Sequence, residues 1–142
     1  MKLSEYVQRR NGVPLGASNS LRNMLYRSLG AGFFSSFWKY WNPILGFYLG
    51  KLIFKPLKEI LSPAISLILT FVFSGLLHDS VIMLVKWKLT LMLTPWFLLM
   101  GLWVVISEYF KFGYSKYTWI IRAFINILII GCCYILGKQL AI

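Results

Sequence analysis

His78 is the only histidine in the 142 residues, and it lies inside an apolar run, in the segment Phe73-Ser-Gly-Leu-Leu-His-Asp79. A neutral imidazole accepts a proton near neutral pH, which makes this side chain the first candidate for chemistry. Ser74, four residues earlier, shares its helical face, and Gly75 leaves space beside the ring. Asp79 points about 100° away on a helix and is not paired with His78. A second polar group interrupts an earlier apolar stretch. Asn42 stands among Trp38, Trp41 and Pro43. A polar side chain held at bilayer depth is costly, so each of the two is a site candidate by default.

The elements that must position this pair are helices of membrane character. The chain is 58% hydrophobic and 18% aromatic, above the roughly 45–50% apolar share of soluble domains. The pattern predicts an all-α integral membrane protein with about four transmembrane helices. These cover about 31–54, 61–85, 90–110 and 117–136, behind a basic, partly amphipathic N-terminal segment over residues 1–30. The first span is interrupted by Lys39 and Asn42, and Pro43 predicts a kink or break beside Asn42. If residues 57–63 form the connection, Asn42 and His78 lie fifteen residues on either side of it and at similar depth. Gly46 and Gly50 form a GxxxG pair that predicts close approach of another helix. In the arm, Ser18 or Asn19 caps a short helix to about Leu29. Arg122 snorkels from its helix entry, and Asn126 hydrogen-bonds a neighbouring helix.

Charge and cysteine content narrow the function classes. The net charge is +11, with 15 Lys and Arg, but these are spread between apolar runs and form no continuous basic face for nucleic acid. Anionic lipid headgroups are the expected counter-charge. Cys132 and Cys133 are adjacent, which suits neither a disulfide framework nor a CxxC motif, and one histidine gives no metal site. No apolar leader is visible in the first thirty residues. Four spans place both termini on one side. That side carries Lys2, Arg9, Arg10, Arg22, Arg27, Lys86, Lys88 and Lys138, against Lys51, Lys55, Lys58, Lys111 and Lys116 opposite. Cytoplasmic termini follow, in what the short loops suggest is a bacterial inner membrane.

Phe37-Trp38-x-x-Trp41-Asn42, followed by Ser74-Gly75-x-x-His78, resembles the paired signature of the membrane-bound O-acyltransferase superfamily. The resemblance covers chiefly residues 30 to 85. It implies transfer of an acyl group from a thioester, acyl-CoA or acyl-carrier protein, to a hydroxyl of a lipid, sterol-like or sugar acceptor. No further cofactor is implied. His78 is then the general base on the acceptor hydroxyl. Asn42 orients the acceptor or stabilises the developing oxyanion. Trp38, Trp41 and Ser74 line the substrate tunnel. Members of that superfamily are usually several times longer, so the short chain implies self-association, a partner membrane subunit, or a non-catalytic subunit that keeps the motif and acts in assembly.

Overall fold

The computed structural model describes all 142 residues, Met1–Ile142, and every regular element in it is helical. The arm folds into two helices, α1 (Leu3–Asn11) and α2 (Ser20–Leu29). Glu5 accepts from the Lys2 backbone N–H at 3.1 Å to start α1, and Gly12 ends it in the left-handed region at φ 79°. Two asparagines join the helices: Asn11 Nδ2 donates to the Ser20 carbonyl, and Asn23 Nδ2 to the Asn11 carbonyl. Arg27 adds a bond to the Arg10 carbonyl at 3.0 Å. The sequence pattern anticipated α2; α1 was not foreseen.

The segment expected to be the first span is broken. α3 (Phe34–Tyr40) stops at Trp41, and α4 (Pro43–Leu49) starts after Asn42, whose backbone sits at φ 43°. Asparagine tolerates that left-handed conformation, and its Oδ1 accepts from Leu45 N–H at 3.2 Å as the cap of α4. Pro43 then fits the first helical position, where no N–H is needed. A π-helical turn, Gly50–Phe54, carries α4 into α5 (Lys55–Ile60). The wider turn accommodates Pro56, which lacks an N–H and crowds the carbonyl four residues back in an α-helix.

Three longer helices form the body: α6 (Pro63–Lys86), α7 (Leu93–Tyr109) and α8 (Trp119–Leu140). Ser62 caps α6 through its hydroxyl. Close packing comes from glycines: a Cβ on Gly75 would meet Thr94 Cα at 2.8 Å, one on Gly101 would meet Phe71, and one on Gly137 would meet the Trp96 backbone. By contrast, a Cβ on Gly50 would meet nothing within 4 Å, and one on Gly46 would meet only the Tyr6 hydroxyl of α1, at an ordinary 3.7 Å. The GxxxG expectation is therefore corrected: the small residues that bring helices together are elsewhere.

The α6–α7 connection is held by Asp79. Its carboxylate is fully buried and accepts from the Leu93 and Thr94 backbone N–H groups and from the Thr94 hydroxyl, at 2.6–3.1 Å. The first N–H groups of a helix lack intrahelical partners and carry partial positive charge, so a carboxylate from the preceding helix is a strong cap. At the opposite end, Asn126 donates to the Leu29 and Ala31 carbonyls and accepts from the Tyr114 hydroxyl, all in buried surroundings. Burial pushes the Tyr114 phenol up to about 12, so it remains a donor throughout the physiological range. Arg122 Nε donates to the Gly30 carbonyl at 2.7 Å rather than reaching outward as a snorkelling cation.

These contacts overturn the four-span topology. Tyr114 N–H binds the Gly32 carbonyl and Ser35 binds Glu108, so α3 begins beside the end of α7. The register set by Gly75 on Thr94 and Phe71 on Gly101 brings the start of α6 to that same end. Residues 33–62 therefore leave and return to one end of the bundle instead of crossing it. Two helices, α6 and α8, are long and apolar enough to cross a membrane, and α7 is apolar but has 17 residues, about 26 Å. Both candidate spans are only 22% buried within the chain, so their apolar faces are not covered by the protein itself.

Replacing Asp79 with alanine is expected to lower stability by about 2–4 kcal/mol, because two backbone donors and a hydroxyl lose a charged acceptor. Asp79→Asn, which keeps one acceptor oxygen, is expected to lose less. Thermal unfolding of the detergent-solubilised chain checks both, and equal stability of all three proteins would contradict this account of the α6–α7 turn.

Candidate functional site

The break at Asn42 and the face of α6 opposite Asp79 open onto one cavity of about 890 Å³. All five residues singled out in the sequence line it: Trp38, Trp41, Asn42, Ser74 and His78. The volume falls within the roughly 300–1,000 Å³ of small-molecule sites, and 16 of the 25 lining residues are hydrophobic, as such sites require.

His78 reaches the cavity because Asp79 does not. Once the carboxylate is committed to α7, the preceding side chain turns about 100° away from that interface. The imidazole stacks on Phe97 with centroids 4.9 Å apart, and its Nδ1 lies 2.6 Å from the Ser74 carbonyl oxygen. A carbonyl only accepts, so Nδ1 carries the proton and Nε2 of the neutral ring is left as the acceptor. Ser74 thus holds His78 through its backbone carbonyl. The imidazole is exposed within the isolated chain.

Asn42 has a structural duty as well as a position on the wall. Its Oδ1 is occupied by the α4 cap, and its backbone N–H lies 3.3 Å from the Met24 sulfur. Its Nδ2 makes no bond within the chain, so a donor remains for an oxygen of a bound molecule. Trp38 packs edge-on against Phe71 and Phe37, with its buried Nε1 unpartnered. Trp41 stacks on Phe37 at 5.6 Å and is partly exposed. Around the imidazole the cavity thus offers one proton acceptor on α6 and two N–H donors on the α3–α4 side.

Several lining residues were not foreseen. Phe97, on α7, fixes the plane of the imidazole, and Tyr6 and Arg10 bring α1 into the wall. Tyr6 and Arg10 are one helical turn apart, an i, i+4 spacing that marks a common face in the sequence, but nothing there shows what the face meets.

A chain with a single histidine yields one pair of imidazole nitrogen signals in a 15N spectrum. The neutral ring is expected as the Nδ1–H tautomer. A spectrum dominated by the Nε2–H form would remove the free base from the cavity.

No family model, curated protein or solved structure matches the chain.

Proposed function

We propose that the chain is an integral-membrane O-acyltransferase in which His78 is the general base. The observation that carries this reading is the convergence of Asn42 and His78, far apart in sequence, on one apolar cavity, with the imidazole tethered through Nδ1. The acceptor hydroxyl gives its proton to Nε2 as its oxygen attacks the thioester carbonyl carbon. The negative charge that develops on the carbonyl oxygen is met by an N–H donor, for which Asn42 Nδ2 is suited. The carbon–sulfur bond then breaks, and the departing thiolate recovers the proton from the imidazolium. The donor is acyl-CoA or an acyl-carrier protein, and the acceptor is a hydroxyl-bearing lipid, sterol-like molecule or sugar.

Membrane insertion, in a bacterial inner membrane, is part of the proposal. It is supported by the uncovered apolar faces of α6 and α8 and the wide scatter of exposed large hydrophobic residues. With α7 as a third crossing and residues 33–62 re-entrant, the earlier expectation of two cytoplasmic termini does not carry over. Leu91 N–H binds the Ile142 carbonyl, so Ile142 sits beside the α6–α7 loop with Lys86, Lys88 and Lys138. The opposite end gathers Arg27, Lys55, Lys58, Lys111 and Lys116, which favours that end for the cytoplasm. A single cysteine at position 88, in a chain with Cys132 and Cys133 replaced by serine, is expected to react with an impermeant thiol reagent added outside cells. One at position 116 is expected to be protected, and the reverse labelling would invert the topology.

A second reading, a non-catalytic subunit acting with a membrane partner or another copy, draws on the exposure of His78 and Asn42 in the isolated chain. Membranes containing wild type, His78→Ala or Asn42→Asp, given radiolabelled acyl-CoA and native lipid extract, separate the two. Acyl transfer is expected to fall about 10²–10⁴-fold without the base. Asn42→Asp keeps the α4 cap but removes the Nδ2 donor, with an expected loss of about 10²–10³-fold. Equal transfer by wild type and His78→Ala would reject the enzymatic role of His78, and no transfer by any of them favours the subunit.

A further inference from the structure

The cavity has a charge pattern that acyl transfer does not require. Arg10, Lys55 and Lys58 line it, and no aspartate or glutamate does. Two of these cations lie over rings that are themselves in the wall: Arg10 over Tyr6 at 4.9 Å and Lys58 over Phe54 at 5.9 Å. Arg10 and Lys58 are thus each placed beside a ring of the wall, and Lys55 and Lys58 are exposed at its rim. Lys55 and Lys58 are three residues apart, so one face of α5 presents both ammonium groups. That face is at the end of the bundle where α6 begins. His78 lies eight residues beyond Thr70, another wall residue, or about 12 Å further along α6.

A cavity with cations near one end, apolar lining and a carboxylate-free wall is complementary to an amphiphile with an anionic head. We infer that it binds one anionic phospholipid, with its phosphate against Lys55 and Lys58 and an acyl chain along the apolar wall toward Trp38 and Phe97. An uncharged amphiphile would forgo the attraction of both exposed ammonium groups at the rim of the cavity. Gly50 gives the lipid room, since a Cβ there meets nothing within 4 Å and the residue faces the cavity. The inference goes beyond the proposed reaction and does not depend on turnover.

The test uses the full chain in zwitterionic detergent with equimolar phosphatidylglycerol and phosphatidylcholine of identical acyl chains, followed by native mass spectrometry. Wild type is expected to retain one phosphatidylglycerol and about tenfold less phosphatidylcholine. Lys55→Gln/Lys58→Gln is expected to reduce phosphatidylglycerol retention by on the order of tenfold or more. Gly50→Trp, which adds bulk to the cavity wall without removing a charge, is expected to reduce it similarly. Lys86→Gln/Lys88→Gln removes the same charge from exposed positions outside the cavity and is expected to bind as wild type does. Equal retention of the two lipids by wild type would overturn the inference. So would wild-type retention by either the Lys55/Lys58 or the Gly50 variant, or an equal loss in the Lys86/Lys88 control. Acyl transfer by wild type without selective phosphatidylglycerol retention would remove only the lipid site, whereas selective retention without any transfer would remove only the enzyme.

Discussion

The geometry of this chain depends on one carboxylate. Asp79 is buried without a cationic partner and is satisfied by the opening N–H groups of the next helix and a threonine hydroxyl. A carboxylate so placed must be fully hydrogen-bonded, because an unpaired one in an apolar interior is prohibitively costly. The requirement sets both the register of α6 on α7 and the rotation of α6 about its own axis. The rotation carries His78 to the cavity and lets Gly75 seat Thr94. A structural residue and a candidate base are thus adjacent in sequence because a helix sends neighbours to different faces.

Polar groups in an apolar setting sort here by whether the chain itself satisfies them. Asn126 spends its amide on two carbonyls and a tyrosine hydroxyl, and so fastens the arm to α8. Asp79 is equally consumed. His78 and Asn42 each keep one unused function, Nε2 and Nδ2, and both face the same space. The contrast separates a binding site from a fastening more sharply than polarity or depth does.

Much of this was legible in the sequence, and what was not has physical causes. The extents of α6, α7 and α8 followed from apolar runs bounded by lysines, and Pro43 marked the break beside Asn42. The sequence predicts an interhelical bond from Asn126, and the side chain binds the last residue of α2 and the linker before α3. The course of residues 33–62 was not legible, because hydropathy records how apolar a segment is and not whether it crosses or turns back. The Gly46/Gly50 pair misled for a related reason: a small residue permits close approach, and only the fold decides what approaches. The roles of Tyr6, Arg10, Lys55 and Lys58 required knowing that α1 and α5 share a wall, which no local pattern encodes.

The π-helical turn between α4 and α5 has a consequence for which side chains face that wall. An α-helix continued from Leu45, Gly46, Leu49 and Gly50 would next present Ile53, Pro56 and Leu57 to the cavity. One extra residue in the turn advances the phase by about 100°. Ile53, Pro56 and Leu57 then lie against α6, and Phe54, Lys55 and Lys58 take the wall. The turn works as a phase shifter, so that a single helix is lined by aliphatic side chains at one end and by ammonium groups at the other.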